Sequence, residues 1–167
     1  MAKKISKSKN KSFSIGFVGT GRMGANMARN LKEKGFTVST VFDTKQNIAK
    51  KVAKEIGCTA SKTLKEVTTS SDVVITVVTD DKSMLNIYKK KGDSLLIDAK
   101  NTTFINCATI SPDTHIKIEE RAEAVGAKSL EGCMASSIDQ ARNGTLYLMC
   151  GGKRSVFNKV KPILDAL

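Results

Sequence analysis

Residues 15–24 of the chain are Ile15-Gly16-Phe17-Val18-Gly19-Thr20-Gly21-Arg22-Met23-Gly24, a short apolar run that ends in a G-x-G-x-x-G motif. The run predicts a strand, and apolar residues at helical spacing after the motif predict a helix. In such a unit Gly19 permits the tight turn, Gly21 lets backbone N–H groups approach a pyrophosphate, and Gly24 allows close helix packing. The motif in this context predicts dinucleotide binding at the positive end of the helix. The alternative is a glycine turn in another kind of α/β protein.

An acidic residue follows the second predicted strand. That strand, Thr37–Phe42, is followed by Asp43, 19 residues after Gly24. A carboxylate at about this distance hydrogen-bonds the ribose 2′-hydroxyl of NAD and repels the 2′-phosphate of NADP. Asp43 therefore favours NAD as the cofactor. NADP, with Lys45 meeting the 2′-phosphate, is the alternative, and a preference for NADP would contradict the role given to Asp43.

Helical and strand patterns alternate along the rest of the chain. The predicted helices after the first cover 46–56, 61–67 with Ser61 as cap, a segment starting at Asp80-Asp81, a segment starting at Ser111-Pro112, and 155–167. Within the last of these, Pro162 predicts a kink or the effective start of the helix. The further predicted strands are 59–60, 73–78, 94–97, 104–107 and 146–150. This order predicts an α/β fold with a Rossmann-type doubly wound, mostly parallel sheet, in which ligands bind at the carboxyl ends of the strands.

Length and composition narrow the possible class of protein further. The chain has 167 residues, of which 40% are hydrophobic, which suits one soluble domain. No apolar run approaches the ~20 residues of a membrane helix, so we expect no membrane partner. The four cysteines form no C-x-x-C pair and there is one histidine, so we expect no metal site. Free thiols in a reducing compartment are the simplest interpretation, and we predict a cytoplasmic protein.

The basic charge is concentrated partly in the first residues. The chain has a net charge of +12, and residues 1–12 contain lysines but no acidic residue. No apolar segment of a secretory signal follows them. They predict a solvated, disordered tail, with an arm for nucleic acid or another polyanion as the alternative. We do not expect nucleic acid to be a partner. The folded domain is predicted over 13–167.

Three separated blocks of sequence resemble the β-hydroxyacid dehydrogenase family. They are residues 16–24 with 27–31, Cys107-Ala108-Thr109-Ile110-Ser111-Pro112, and residues 140–146 running on to Gly151-Gly152. That family includes 3-hydroxyisobutyrate dehydrogenase, tartronate semialdehyde reductase and the cofactor domain of 6-phosphogluconate dehydrogenase. The resemblance implies hydride transfer between NAD and a small 3-hydroxy acid or the matching semialdehyde. It covers nearly the whole chain except the basic tail.

The resemblance and the glycine motif together predict the cofactor site. By the resemblance, Val78 and Thr79 line the adenosine side, although the family usually has proline where Thr79 stands. Thr109 matches a position near the nicotinamide, and its alternative role is to cap the next turn. The predicted cofactor residues are Gly19, Thr20, Gly21, Arg22, Met23, Gly24, Asp43, Thr44, Val78, Thr79 and Thr109. For Arg22, an ordinary exposed position in a first helical turn is the alternative to a phosphate contact.

The segment that matches the family's substrate loop departs from its pattern. The family has Asp-Ala-Pro-Val-Ser-Gly-Gly where this chain has Glu131-Gly132-Cys133-Met134-Ala135-Ser136-Ser137. The resemblance therefore places substrate at Ala135, Ser136 and Ser137, with either serine replacing the lost hydroxyl. The substrate specificity of the family therefore cannot be transferred to this chain through this loop. Cys133 is a weak candidate for a reactive thiol, because a small buried cysteine is the commoner case.

The resemblance also predicts where the chemistry takes place. In the family, a lysine on a helical second domain acts as general acid and base, and that domain begins just after the position of Leu167. We therefore predict no catalytic residue in this chain, which alone would be an inactive cofactor domain of a longer enzyme. A homo-oligomer of the full-length protein would assemble largely through that second domain, and the last helix here would expose apolar surface. The alternative is a non-catalytic Rossmann module whose tail contacts nucleic acid or a protein partner.

Overall fold

The computed structural model describes residues 13–167, so the predicted basic tail lies outside the described residues. These residues form one sheet with helices on both faces. The strands are β1 Ser14–Val18, β2 Thr37–Phe42, β3 Thr59–Ala60, β4 Val73–Thr76, β5 Thr103–Asn106, β6 Lys128–Met134 and β7 Leu148–Gly151. The helices are α1 Arg22–Glu33, α2 Gln46–Ile56, α3 Leu64–Thr69, α4 Asp81–Ile87, α5 Pro112–Ala124, α6 Ile138–Asn143 and α7 Arg154–Leu164.

The order of strands across the sheet is β3-β2-β1-β4-β5-β6-β7. All neighbouring strands run parallel except β7, which pairs antiparallel with β6. The chain leaves β1 toward β2 and returns to the other side of β1 with β4, so the strand order reverses between β1 and β4. Ligands of doubly wound sheets bind at such a switch point, beyond the carboxyl ends of the strands. The predicted Rossmann-type, mostly parallel sheet is confirmed.

Two apolar clusters, one on each face of the sheet, form the core. One contains the buried faces of α1, α2 and α7, and the other those of α3, α4 and α5. The expectation of an exposed last helix is wrong, because Val156, Val160, Ile163 and Leu164 are buried. Packing of α7 on the sheet hides them. The large apolar side chains exposed among the described residues are Ile116, Val125, Tyr147 and Met149.

A buried polar network joins four elements in the middle of the sheet. Asn106 Oδ1 accepts hydrogen bonds from Thr76 Oγ1 and from Tyr88 Oη, each at 2.9 Å. Asn106 Nδ2 donates to Ser129 Oγ at 2.9 Å. Asn106, Thr76 and Tyr88 are fully buried, and Tyr88 packs edge-on against Phe104. Because every member has a partner, the network stabilises the core rather than burying unpaired groups.

Several elements of the structure differ from the predicted ones in type, cap or end residue. Residues 94–97 form a turn and not a strand, because Leu95 N bonds to Ile87 O and Ser94 Oγ accepts from Leu96 N. Thr63, and not Ser61, caps α3, since Thr63 Oγ1 accepts from Glu66 N at 3.1 Å. The buried strand β4 stops at Thr76 rather than at residue 78. Helix α7 runs through Pro162, which neither breaks nor begins it.

Strand β6 and helix α6 were not among the predicted elements. In β6 the burial pattern is not a strict alternation, since two buried residues, Gly132 and Cys133, are adjacent. The start of α6 did carry a signal. Ser137 and Gln140 form a capping box, in which Ser137 Oγ accepts from Gln140 N and Gln140 Oε1 accepts from Ser137 N. The S-x-x-Q spacing is a recognised sign of a helix start.

Candidate functional site

The glycine motif makes the turn from β1 into α1 at the switch point. Gly19 has a φ of +91°, which favours glycine, and its N–H donates to Phe42 O at 2.9 Å. A Cβ atom at Gly19 would collide with the carbonyl oxygen of Val77, and one at Gly24 with the carbonyl oxygen of Gly19. A Cβ atom at Gly21 would meet no protein atom within 4 Å. Packing therefore requires the first and third glycines, whereas Gly21 faces open space.

The first turn of α1 borders that open space. Gly21 is the N-cap residue, no side chain caps this helix end, and its first turn contains no acidic residue. The N-terminal amides of a 12-residue helix are thus left facing the turn, with the positive end of its dipole. Arg22 is exposed at the same place, and Met23 is half-buried against the core. The arrangement suits an anion such as a pyrophosphate.

Asp43 lies beside the glycine turn and is tied to it. Its Oδ2 accepts from Thr20 N at 2.9 Å and from Thr20 Oγ1 at 3.3 Å, and its Oδ1 accepts from Lys45 N at 2.9 Å. A carboxylate has about four acceptor positions, so one is left for a ligand hydroxyl. The next residue, Thr44, is exposed. The structure therefore brings Asp43 and the glycine turn together, as the spacing predicted.

A cleft opens between α1 and α2 next to this turn. It has a volume of about 450 Å³, and its lining includes Gly21, Arg22, Ile48 and Lys51. Ile48 supplies an apolar wall, while Arg22 and Lys51 supply exposed positive charge. Arg29 is a third cation in the lining. A cleft with an apolar wall and several cations suits an aromatic base linked to phosphate. Lys51 was not predicted as a site residue, since an exposed helical lysine gives no distinct signal in sequence.

The other predicted cofactor residues follow neighbouring strands. Val78 and Thr79 follow the end of β4 by two and three residues, and Thr109 follows the end of β5 by three, so all three lie at the carboxyl edge of the sheet. Val78 is half-buried, whereas Thr79 and Thr109 are exposed. Thr79 Oγ1 donates to Asp80 Oδ2 at 2.8 Å, and Asp80 caps α4. These positions are compatible with cofactor contacts, and the contacts themselves remain predictions.

The predicted substrate segment joins β6 to α6. Ala135 is exposed, and Ser136 Oγ accepts from Tyr147 N at 2.7 Å. Ser137 Oγ likewise accepts, from Gln140 N at 3.2 Å in the capping box of α6. Each of the two serines thus uses its oxygen as an acceptor, and its hydroxyl proton is left for a substrate group. The role of all three residues in substrate binding stays a prediction.

The four cysteines are all free thiols. Cys133 is 8% exposed, and burial together with the nearby Glu131 carboxylate raises the pKa of its thiol to about 11. Burial also raises the pKa of Cys58 to about 11. Thiols with such pKa values are neutral at pH 7 and weak nucleophiles. The structure thus favours the interpretation of Cys133 as a small buried side chain over that of a reactive thiol.

Comparison with known families agrees with this geometry. Residues 14–167 match the family described as the NAD binding domain of 6-phosphogluconate dehydrogenase. The fold and the glycine turn define a dinucleotide-binding Rossmann domain. The chain belongs to this NAD-binding family, whose relatives are NAD-dependent hydroxyacid dehydrogenases. The predicted family and the predicted cofactor are both confirmed at this level.

Individual relatives point to the same group of enzymes. The chain is 34% identical to the mitochondrial 3-hydroxyisobutyrate dehydrogenase of Drosophila melanogaster over 155 residues, covering 92% of this chain and 46% of that protein. It is 28% identical to 2-hydroxy-3-oxopropionate reductase of Escherichia coli, covering 92% of this chain and 51% of that protein. The chain therefore spans about half the length of the curated relatives that it matches. These relatives do not support the alternative of a non-catalytic module.

The fold also matches solved structures. A 3-hydroxyisobutyrate dehydrogenase of Mycobacterium tuberculosis with L-serine superposes with a TM-score of 0.84 at 29% identity, covering 92% of this chain and 51% of that one. Within residues 13–167, no helix is long and apolar enough to cross a membrane. The predicted cytoplasmic location is not established by these relatives, since the Drosophila protein is named as mitochondrial.

Proposed function

We propose that residues 13–167 are the cofactor domain of an oxidoreductase that moves a hydride between NAD and a small 3-hydroxy acid or its semialdehyde. The observation that carries the proposal is the open space at Gly21, bordered by the uncapped start of α1 and by Asp43. These groups fit a dinucleotide, because the helix amides suit its pyrophosphate and the remaining acceptor of Asp43 suits a ribose hydroxyl. When bound, the nicotinamide accepts or donates the hydride.

The residues of this chain hold and orient the cofactor. The amides of α1 and the Arg22 guanidinium neutralise phosphate charge, while Asp43 selects the ribose with a free 2′-hydroxyl. Lys51 and Arg22 add positive charge in the same cleft, which favours any phosphate placed there. Asp43 nevertheless opposes a 2′-phosphate, because a carboxylate beside that group costs Coulomb energy. NAD is therefore the preferred cofactor.

The substrate is proposed to lie at the carboxyl edge of the sheet, between Thr109 and residues 135–137. The relatives named above act on 3-hydroxyisobutyrate and on 2-hydroxy-3-oxopropionate, as their names state. Both are small hydroxy acids or semialdehydes, which supports the same substrate class here. We place the general acid and base outside this chain, since Lys153, Lys159 and Lys161 do not fit the family's lysine motif. The chain alone is then expected to bind NAD without turnover.

The test is a calorimetric titration of NAD and NADP into the wild type and into Gly21→Ala. The added methyl group meets no protein atom but occupies the ligand space, so NAD should bind roughly tenfold or more weakly at an unchanged melting temperature. Ser70→Ala is the matched control, because Ser70 is exposed at the amino edge of the sheet, just before β4. It should bind NAD like the wild type.

Two outcomes would contradict the proposal. If the wild type binds neither dinucleotide, the glycine turn is only structural in this chain. If Gly21→Ala and Ser70→Ala bind NAD equally well, the ligand does not occupy the space at Gly21. Tighter binding of NADP than of NAD would overturn the role of Asp43 alone and leave the dinucleotide site in place.

A further inference from the structure

Three side chains with different metal-binding atoms meet at the edge of the sheet, away from the glycine turn. His115 lies on α5, while Glu131 and Cys133 are alternate residues of β6 and so point to the same face. Cys133 Sγ is 3.2 Å from Glu131 Oε1 and 3.6 Å from His115 Nε2. His115 Nε2 is 3.6 Å from Glu131 Oε1. The imidazole, carboxylate and thiol thus form one compact triangle.

The size of this triangle matches one face of a tetrahedral zinc site. Zinc bonds of about 2.3 Å to sulfur and about 2.0–2.2 Å to nitrogen and oxygen place tetrahedral ligand atoms roughly 3.3–3.6 Å apart. The three distances observed here, 3.2, 3.6 and 3.6 Å, lie at or close to that range. A metal ion could therefore bind all three atoms with little movement of the backbone.

The surroundings leave room for the ion and for a fourth ligand. His115 and Cys133 are each 8% exposed, whereas the Glu131 side chain is 36% exposed and opens toward solvent. A cleft of about 160 Å³ reaches the cluster, with His115, Glu131 and Gly151 in its lining. A Cβ atom at Gly151 would lie 2.9 Å from Glu131 Oε2, so glycine is needed for the observed carboxylate position. Solvent can thus supply the fourth ligand.

The same face of β6 contains no competing thiol. In the β6–β7 ladder, Gly132 is opposite Cys150 and Cys133 is opposite Met149. Successive residues of a strand point to opposite faces, so Cys150 lies on the other face of the sheet from Cys133. Without a cation, Cys133 has two hydrogen-bond acceptors, Glu131 Oε1 and Ala108 O at 3.3 Å, for a single thiol proton. Zinc would displace that proton and bind the thiolate.

We propose that His115, Glu131 and Cys133 bind a divalent transition metal of the zinc class, with water at the fourth position. The site would hold β6 against α5 directly before residues 135–137. The expectation of no metal site rested on the lack of a C-x-x-C pair and on the single histidine. Neither ground covers one histidine, one carboxylate and one thiol that come from separate elements. This proposal is independent of the dinucleotide site and does not require that the chain binds NAD.

The test is a titration of the reduced chain with Co²⁺, followed by displacement with Zn²⁺. We expect one equivalent of Co²⁺ to produce a thiolate-to-metal absorption band that Zn²⁺ removes. Zn²⁺ should also raise the melting temperature of the wild type, because the ion binds only the folded cluster. Cys133→Ser should lose the band and bind Zn²⁺ about a hundredfold more weakly or worse, since a ligand matters at least as much as its supporting groups.

Cys150→Ser is the matched control, because it removes a thiol on the other face of the sheet. It should keep the band and the stabilisation by Zn²⁺. A second variant, His115→Gln, keeps all four thiols and should weaken Zn²⁺ binding as strongly as Cys133→Ser. The proposal is overturned if the wild type shows no band, if the band survives Cys133→Ser, or if Cys150→Ser removes it. Melting curves of each variant without metal show whether it is folded.

Discussion

Two segments are proposed to border the ligands, the glycine turn and the segment after β6, and these two borders are built by different means. The glycine turn between β1 and α1 is shaped by backbone contacts, since Gly19 and Gly24 leave no space for a side chain. The segment after β6 is held by side chains, with Ser136 Oγ accepting from Tyr147 N and Ser137 capping α6. The first arrangement tolerates little change and suits a ligand of constant shape. The second allows exchange of single side chains and suits substrates that differ among relatives.

The largest effect is expected at the glycine turn. Gly24→Ala places a Cβ atom against the carbonyl oxygen of Gly19, which belongs to the backbone and cannot move aside cheaply. We expect a loss of about 3 kcal/mol in the free energy of unfolding, measured in urea. Gly21→Ala is the control within the same turn and should leave stability unchanged. Equal stability of the two variants would show that the turn is not fixed by close packing.

A smaller effect is expected after β6. Ser137→Ala removes the side chain that accepts from Gln140 N, so the first turn of α6 loses its cap. We expect a loss of about 1 kcal/mol in the free energy of unfolding. Ser155→Ala, an exposed serine in α7, serves as control and should be nearly neutral. A loss as large as that of Gly24→Ala would remove the contrast between the two borders.

The smallest effect concerns the ion pair that joins α1 to α6, the helices that follow the two borders. Arg142 on α6 binds both carboxylate oxygens of Glu33 on α1, at 2.6 and 2.7 Å. The hydrogen bonds from Arg142 lower the pKa of Glu33 below its ordinary value of 4.5. This stabilisation is therefore complete above about pH 4.5 and is lost as the pH falls through the lower pKa of the folded state.

Arg142→Gln should return the pKa of Glu33 toward its ordinary value and reduce the loss of stability on acidification. The measurement is an NMR titration of the Glu33 carboxyl, together with urea unfolding at several pH values. Lys153→Gln, which breaks the pair with Glu123 instead, is the control and should not move the pKa of Glu33. An unchanged Glu33 titration in Arg142→Gln would mean that the pair does not persist in solution.

The two borders also differed in how far the sequence predicted them. The bounds of β2 and α2 agree with the structure at both ends, because their signals are local: β-branched residues, helical spacing and Gly57 at a left-handed φ of +66°. Strand β6 carries no such pattern, since it takes its place by pairing with β5 and β7. Segment 94–97 shows the reverse, a local strand pattern without a neighbouring strand to pair with.

The residues proposed for function show the same difference between local and distant signals. The glycine motif and Asp43 were found because their spacing along the chain is fixed by one strand–turn–helix unit. The cluster of His115, Glu131 and Cys133 was not found, because α5 and β6 meet only in the folded molecule. Lys51 was missed for a similar reason, since its place in the cleft depends on how α2 packs beside α1. Contacts between elements distant in sequence require the fold itself.

The buried network around Asn106 affects how the molecule unfolds. Asn106 joins β4, β5 and β6, and through Tyr88 it reaches the end of α4. Parting any two of these strands would leave amide or hydroxyl groups unpaired in a dry interior, at a cost of about 1–3 kcal/mol for each group, in addition to the lost contacts of the strands. The centre of the sheet should thus open all at once or not at all. The border proposed to bind the cofactor and the border proposed to face the substrate would then lose their shape in a single cooperative event.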